Sequence, residues 1–351
     1  MSVSFLNSIC VIRLTALGDC INAFGLLNAL HSNYPNIDIK WIIDKRFASL
    51  FIDDEGFPLV PFYSVDLKGD GLLKSCFKLF LNFRKQRYAA LFNMQTSIKS
   101  SILSLFIRAD SKYGYDEQRR REGQLLFINK QVPSPQNKHV LAGFMAFAHA
   151  AGFENLEPCW DYKLSEKEFL KAKQLVNGIN SKFIIIAPAS AKKVKNWTVQ
   201  GYSEIANYAF SKGFKVVLVG GSNKTEIQLC DEIKQQAPDC LNLCGRTSLR
   251  DLACIISLSS LVLSPDSASM HLASSLNIPV IGLFAIHDPK RVGAWNYPDL
   301  QVSVYEEMAM AELGQQTPGW RYRVKDPDAM KRISVHSVKE KFDFAIDKYR
   351  L

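Results

Sequence analysis

The segment SPDSASMHLASSL, Ser264 to Leu276, lies between an apolar run, Leu252–Leu263, and a second strand-like run, Ile278–Phe284. Asp266, Ser267 and Ala268 stand where a loop turns into a helix, with Ser269–Leu276 as its first turns. Small residues at such a point leave backbone N–H groups open, and the helix dipole favours a phosphate there. His271 falls within the first turns, beside the same ligand. An ordinary N-cap, aspartate or serine, is the competing reading. A second loop, APASAKKVKNW (Ala187 to Trp197), offers related chemistry. Its small residues at 187, 189, 190 and 191 let a ligand approach the backbone, and Lys192, Lys193 and Lys195 supply charge suited to a phosphate. A solvated face would account for two of these lysines equally well.

LVGGSNKTE (Leu218 to Glu226) places two glycines after a strand, but not in Walker A order. Glu226 is either within reach of a ribose or an exposed helix glutamate. LCGRTSL (Leu243 to Leu249) reads as a loop entering a helix, with Thr247 or Ser248 as its cap and its backbone facing the base of a bound nucleotide. Near the N-terminus, LTALGDC (Leu14 to Cys20) is a strand-to-helix loop in which Gly18 permits close approach. Asp19 is either a helix cap or a general base that takes the proton of an acceptor hydroxyl. The loop lacks the G-x-G-x-x-G order of a dinucleotide site.

Positioning these loops needs strands and helices in alternation, and the periodicity supplies them. In the first half, strands are predicted at Ile9–Leu14, Ile37–Ile43 and Ala89–Asn93, with helices at Ile21–His31, Leu72–Arg87, Ser97–Ile107 and 138–152. Between the last two lies a polar stretch, Tyr113–Gly123, with Arg119, Arg120 and Arg121 in a row. A helix over Ser165–Asn180, with a loop after it, leads into a second half. There strands are predicted at Phe183–Ala187, Lys215–Val219, Leu261–Ser264 and Val280–Phe284, with helices at Val199–Lys212, Lys224–Gln236, Leu249–Leu258 and Ser337–Tyr349. This alternation predicts parallel α/β sheets and two Rossmann-like domains facing each other across a cleft, with ligands at the carboxyl ends of the strands. The expected division is 1–165, joined by the terminal helix 337–351, and 181–330.

The chain has 351 residues, 47% apolar and 22% charged, as in globular proteins with ordinary cores. No apolar run approaches the ~20 residues that span a bilayer. The N-terminus shows no basic segment or cleavage site of a signal peptide, so a mature cytoplasmic protein is expected. Eight cysteines lie outside any C-x-x-C or zinc spacing, which predicts free buried thiols. A formal charge of +9 implies an anionic partner. Scattered positive charge and the lack of any nucleic-acid motif disfavour nucleic acid and leave anionic lipid or phosphorylated sugars.

Taken in order, RLTALGD, APASAKKVKNW, LVGGSNKTE, LCGRTSL and SPDSASMHLASSL resemble the ADP-heptose:lipopolysaccharide heptosyltransferases, glycosyltransferase family 9, from about Ile9 to Trp295. The resemblance implies a GT-B fold and an inverting transfer without metal or other cofactor. It implies ADP-heptose as donor, a Kdo–lipid A acceptor, and a protein peripheral to the cytoplasmic face of the inner membrane. By position, Asp19 matches the family's catalytic base, Lys195 the lysine on the ADP phosphates, and Asp266 the donor-site aspartate. Ser267, Ala268 and His271 match the pyrophosphate-facing turn, while Ser190, Glu226 and Thr247 match positions lining the nucleotide.

Two departures stand out. Ser190 is followed by Ala191 where the family often has two hydroxyls, and Ala268 replaces a frequent glycine, so the turn is expected to differ locally. The A-L-G-D before the first helix looks more like the enzymes that add the first heptose to Kdo. Arg119, Arg120 and Arg121 suit an acceptor bearing carboxylates and phosphates, or a solvated basic turn. Competing functions are addition of a later heptose, a sugar-nucleotide epimerase, and a non-catalytic sugar-nucleotide-binding protein.

Overall fold

The computed structural model describes residues 6–176, 179 and 181–351. The expectations for the first five residues, and for 177, 178 and 180 after the linking helix, lie outside the described residues. The chain divides into two units, Met1–Lys163 and Leu164–Leu351.

In the first unit the order is β1 (Ser8–Ile12), α1 (Leu17–Asn33), β2 (Asp38–Asp44), β3 (Phe62–Val65), α2 (Gly71–Phe83), β4 (Tyr88–Asn93), α3 (Ile98–Leu105), β5 (Ala109–Tyr115), β6 (Lys130–Val132) and α4 (Val140–Ala150). The second unit has α5 (Glu166–Leu175), β7 (Phe183–Ile186), α6 (Val199–Ser211), β8 (Lys215–Leu218), α7 (Lys224–Gln236), β9 (Leu241–Asn242), α8 (Leu249–Leu258), β10 (Leu261–Pro265), α9 (Ala268–Ser275), β11 (Val280–Phe284), α10 (Pro289–Val292), β12 (Gln301–Ser303), α11 (Tyr305–Glu312) and α12 (Val335–Tyr349).

Each unit contains one parallel six-stranded sheet, ordered β3-β2-β1-β4-β5-β6 in the first and β12-β11-β10-β7-β8-β9 in the second. Counted within each unit, both orders are 3-2-1-4-5-6, that of a Rossmann domain. Central strands have both faces covered and read as continuous apolar runs. Ile9 to Ile12 and Ile184 to Ile186 are fully buried. On the α2/α3 side of the first sheet, Ile12, Leu79, Phe83, Leu91 and Leu103 form one core cluster. The order reverses between β1 and β4, and again between β7 and β10. Loops at the carboxyl ends of those strands are the places a ligand would occupy.

The division between units differs from expectation at the C-terminus. α12 belongs to the second unit, not the first. Phe342 is fully buried and packs edge-on against Tyr208 of α6 and against Phe214, and the Tyr208 hydroxyl donates to Asp343 at 2.6 Å. Five strands escape the sequence reading. β3, β6, β9 and β12 are short, and β5, ADSKYGY, is too polar to register as apolar. All eight cysteines are free, and seven of them are buried.

Candidate active site

In the second unit, α5, α6, α7 and α8 each begin with an N-cap side chain that accepts an N–H of the first turn, from Ser165, Thr198, Asn223 and Ser248. α9 does not. Its N-cap Ser267 turns its hydroxyl to Ser264, at 2.7 Å, and makes no cap bond. A cap contributes about 1 kcal/mol, yet here the first N–H groups of the helix are left without that side-chain acceptor, at the switch point of the sheet. Ala268 is the first residue of α9 and does not adopt the left-handed backbone that would disfavour alanine. His271 is buried in the second turn.

Asp266, at the end of β10, is the hub. Its Oδ2 receives Lys195 Nζ at 3.1 Å and lies 2.6 Å from His287 Nδ1. Lys195 Nζ also donates to the Asp266 carbonyl at 2.5 Å. The Lys195 and Asp266 side chains are only 13% exposed. Burial by itself would raise the Asp266 carboxyl. The His287 hydrogen bond and the charge of Lys195 outweigh it and hold the group well below the usual carboxylate range. An ionised carboxylate only accepts, so His287 carries its proton on Nδ1. Burial pushes the imidazole below its ordinary value, against the pull of Asp266 and with the help of Lys195 and Arg291, so it is neutral at pH 7.

More positive charge borders this group. Lys192 is held below the usual lysine range chiefly by Arg323, then by partial burial and Lys195. Arg323 reaches this region because its backbone forms an antiparallel bridge with His287. Arg291 and Arg321 stack on Trp320, at 5.2 and 5.0 Å from its ring centre. One buried carboxylate thus organises a lysine and a histidine beside an open helix N-terminus, an arrangement that can take up a dianionic group.

The neighbouring loops are held by residues the sequence reading missed. Asn196 accepts the Ser190 N–H at 2.8 Å, and the Tyr202 hydroxyl donates to the Pro188 carbonyl at 3.2 Å. The Ser190 hydroxyl donates to the Lys192 carbonyl at 2.9 Å, shaping its own turn. Glu226 accepts the Gly221 N–H at 2.6 Å and the Asn223 side-chain amide, so it braces the glycine turn. Gly245, with φ of 75°, donates its N–H to the Gly220 carbonyl at 3.0 Å, which joins the two loops. Ser248 is the cap of α8, and half-buried Thr247 stands just before it.

In the first unit, Asp19 lies in the first turn of α1. Its Oδ2 pairs with Arg13 Nη2 and accepts the Ala16 N–H at 3.3 Å. The Asp19 side chain is 33% exposed, against 12% for Arg13. Arg13 is fixed from behind, donating to the Met94 carbonyl at 2.7 Å and lying 5.2 Å over the Phe144 ring. Gln95, after β4, accepts the Leu14 and Thr15 N–H groups at 2.7 and 3.1 Å, tying the β1–α1 loop to the loop across the switch point. Asp19 is therefore a cap in part, and an accessible carboxylate on a rigid loop as well. That is the geometry a general base requires.

The three arginines part company. Arg119 is buried, with its guanidinium 3.2 and 3.1 Å from the two oxygens of Asp116, 2.6 Å from the Val132 carbonyl and 5.1 Å over Tyr115. Burial opposes ionisation of Asp116, yet Arg119 and the Ser134 hydroxyl hold it below its ordinary value. Arg119 is thus spoken for, contrary to the expectation that it meets an acceptor. Arg120 pairs with Glu117 at 3.3 Å, and Arg121 is exposed. Arg119→Ala is expected to destabilise the fold by up to about 3 kcal/mol, since it removes a buried guanidinium and takes the cationic partner from the half-buried Asp116 carboxylate, which keeps the Ser134 hydroxyl. Arg121→Ala should leave thermal unfolding unchanged and raise the acceptor KM several-fold. Melting curves and acceptor titrations of the two variants check this.

Two parallel six-stranded α/β units of Rossmann order define a GT-B protein. This chain belongs to glycosyltransferase family 9, the heptosyltransferases, whose profile matches residues 76–322. It is 36% identical over 335 residues to the lipopolysaccharide core heptosyltransferase OpsX of Haemophilus influenzae, covering 95% of each chain. Its fold is similar to that of a family 9 glycosyltransferase from Veillonella parvula, with a TM-score of 0.77, 17% identity and 97% of each chain covered. It is also similar to the ADP-heptose lipopolysaccharide heptosyltransferase II of Escherichia coli, with a TM-score of 0.72 and 20% identity over 98% of this chain and 100% of that one. The protein is a glycosyltransferase of the heptosyltransferase type.

Proposed function

We propose that the protein transfers heptose from ADP-L-glycero-β-D-manno-heptose to Kdo of the lipopolysaccharide inner core, adding the first heptose with inversion. The observation that carries the donor assignment is the Lys195–Asp266–His287 cluster beside the uncapped N-terminus of α9. It matches what a departing diphosphate needs, a fixed positive field that costs no reorganisation as charge grows. The similarity to OpsX, a lipopolysaccharide core heptosyltransferase, and to the E. coli ADP-heptose enzyme supports a heptose donor and a lipopolysaccharide acceptor.

In this reading the acceptor hydroxyl attacks the anomeric carbon from the face opposite the diphosphate. The new C–O bond forms as the bond to the β-phosphate oxygen breaks, and ADP leaves. The hydroxyl proton passes to Asp19. Lys195, the N–H groups of Ala268 and its neighbours, and the cationic fringe of Lys192 and Arg323 receive the leaving charge. Ser190, Glu226 and Thr247 shape the walls around the nucleoside, and His271 backs the pyrophosphate turn. Exposed Arg121 and half-buried Arg120 meet acceptor carboxylate or phosphate. The protein works at the cytoplasmic face of the inner membrane, where its lipid acceptor is held.

The test is mass spectrometry of turnover mixtures containing ADP-heptose and Kdo–lipid A acceptors, with and without EDTA. A single heptose added to Kdo, with ADP released and full activity in EDTA, is the expected result. Altered donor in the absence of acceptor would identify an epimerase. Donor binding without any product would identify a non-catalytic binder, and product only from an acceptor already bearing heptose would identify a later step. Strict dependence on a divalent ion would overturn the metal-free mechanism.

A further inference from the structure

The chain's positive charge, expected to be scattered, is concentrated. Residues 67–108 hold eight lysines and arginines and a single acid, Asp70, a net +7 of the chain's +9. This segment contains α2 and α3, which touch each other, and α3 also touches the 124–127 turn. Among the described residues, eight of the twelve well-exposed large apolar side chains lie on these three pieces.

On α2, the exposed Leu73, Phe77, Phe80 and Leu81 occupy one sector of about 100°, separate from the sector of the buried Cys76, Leu79 and Phe83. Leu73 is 86% exposed and Phe77 60%. Lys74 and Lys78, both paired with Asp70, follow along one border of that ridge at helical spacing, and Lys85 lies just past the end of the helix. On α3, Ile98 and Leu105 share the outward face, and Leu126 of the adjoining turn is 85% exposed. The face also continues into the candidate site. The Ile98 N–H donates to Glu122 at 2.6 Å, next to the Arg119–Arg121 loop, and α3 begins just after Gln95. An apolar ridge edged with lysine is the pattern of a helix lying in a lipid interface. Pairing this face with a second copy would set +7 against +7, which argues for an anionic occupant. Among the described residues, no helix is long and apolar enough to cross a membrane, so contact would be at the surface.

We propose that the α2–α3 face of the first unit docks on an anionic bilayer, with Leu73, Phe77 and Leu81 entering the headgroup boundary and Lys74, Lys85 and Lys99 meeting lipid phosphates. This rests on the membrane location in the functional reading and assigns it a surface. Co-sedimentation is measured with vesicles of phosphatidylethanolamine and phosphatidylglycerol, and with phosphatidylcholine alone, at low and high salt. Wild type is expected to bind only the anionic vesicles, more weakly as salt rises. Leu73→Ser/Phe77→Ser and Lys85→Glu/Lys99→Glu should each lower binding by about tenfold or more.

The control Leu170→Ser, which alters an apolar side chain 61% exposed in the second unit, should bind like wild type. Transfer to a delipidated, soluble acceptor should be unchanged in both double variants, and its absence in wild type would count against the functional reading rather than the surface. Equal binding by all variants would overturn this surface while leaving membrane association intact. Failure of wild type to bind anionic vesicles would overturn both. A wild-type dimer dissolved by Leu73→Ser/Phe77→Ser, without vesicle binding, would assign the face to self-association instead.

Discussion

Asp19→Asn is expected to lower kcat by about 10²- to 10⁴-fold, the loss typical of a removed general base, while ADP binds as before. The substitution separates two roles that the structure combines. As a cap, Asp19 accepts the Ala16 N–H at 3.3 Å, and an asparagine carbonyl oxygen can do the same. As a base, it must take a proton at neutral pH, which an amide cannot. Arg13 loses its carboxylate partner but keeps the Met94 carbonyl and the Phe144 ring. With Asp19 a third exposed, the lost ion pair should cost no more than about 1 kcal/mol. Thermal unfolding and ADP titration calorimetry should therefore match wild type while turnover collapses. A variant that still transfers heptose within a few-fold of wild type would make Asp19 a helix cap and nothing more.

Asp19 and Asp266 were legible because each follows a recognisable strand and stands at a loop-to-helix junction. There the residue type, the small neighbours and the sheet rule point the same way. Lys195 was set apart from Lys192 and Lys193 only by the family resemblance. The remaining partners of Asp19 and Asp266 were not legible. His287 lies twenty-one residues beyond Asp266 and meets it only because β11 pairs in parallel with β10. Gln95 and Arg13 meet the switch-point loops through the β1–β4 pairing. Nothing local marks such residues, although His287 does follow a predicted strand at its carboxyl end, where a ligand site was expected. The three arginines show the opposite failure. Side by side in sequence they look equivalent, and only packing sends Arg119 inward to Asp116 and leaves Arg121 outside. The sheet interiors were visible as apolar runs, whereas β5 was hidden by its polar residues and the edge strands by their shortness. Helix α12 has a clear amphipathic pattern, but that pattern does not say which unit it covers.

Lys195→Ala should raise the donor KM and also lower kcat by about 10²- to 10³-fold, because the charge it opposes grows as the diphosphate departs. Lys195→Arg should rescue little. Nζ sits 2.5 Å from the Asp266 carbonyl and 3.1 Å from Oδ2 with the side chain only 13% exposed, a geometry set for a compact ammonium rather than a planar guanidinium. Stability should fall by up to about 3 kcal/mol, the low end for a broken buried pair, since His287 still holds Asp266. The pH dependence adds a readout that mere misfolding would not reproduce. Asp266 has a depressed carboxyl, so its contribution is complete above the ordinary carboxylate range and is lost only as pH falls below it. Between pH 8 and pH 5 it does not titrate. His287 does bear on that window. Its folded value is lowered, so the unfolded chain takes up the proton first, and stability falls as pH drops through and below about 6.5. Lys195 is one of the charges holding His287 down. Without it the folded imidazole accepts a proton more readily, the gap between folded and unfolded values narrows, and the acid-side loss shrinks. Unfolding temperatures of wild type and Lys195→Ala across that range should therefore converge toward low pH. Parallel curves would mean that Lys195 does not hold the His287 proton off, and donor kinetics unaffected by the substitution would remove Lys195 from the diphosphate site and leave it a structural partner of Asp266.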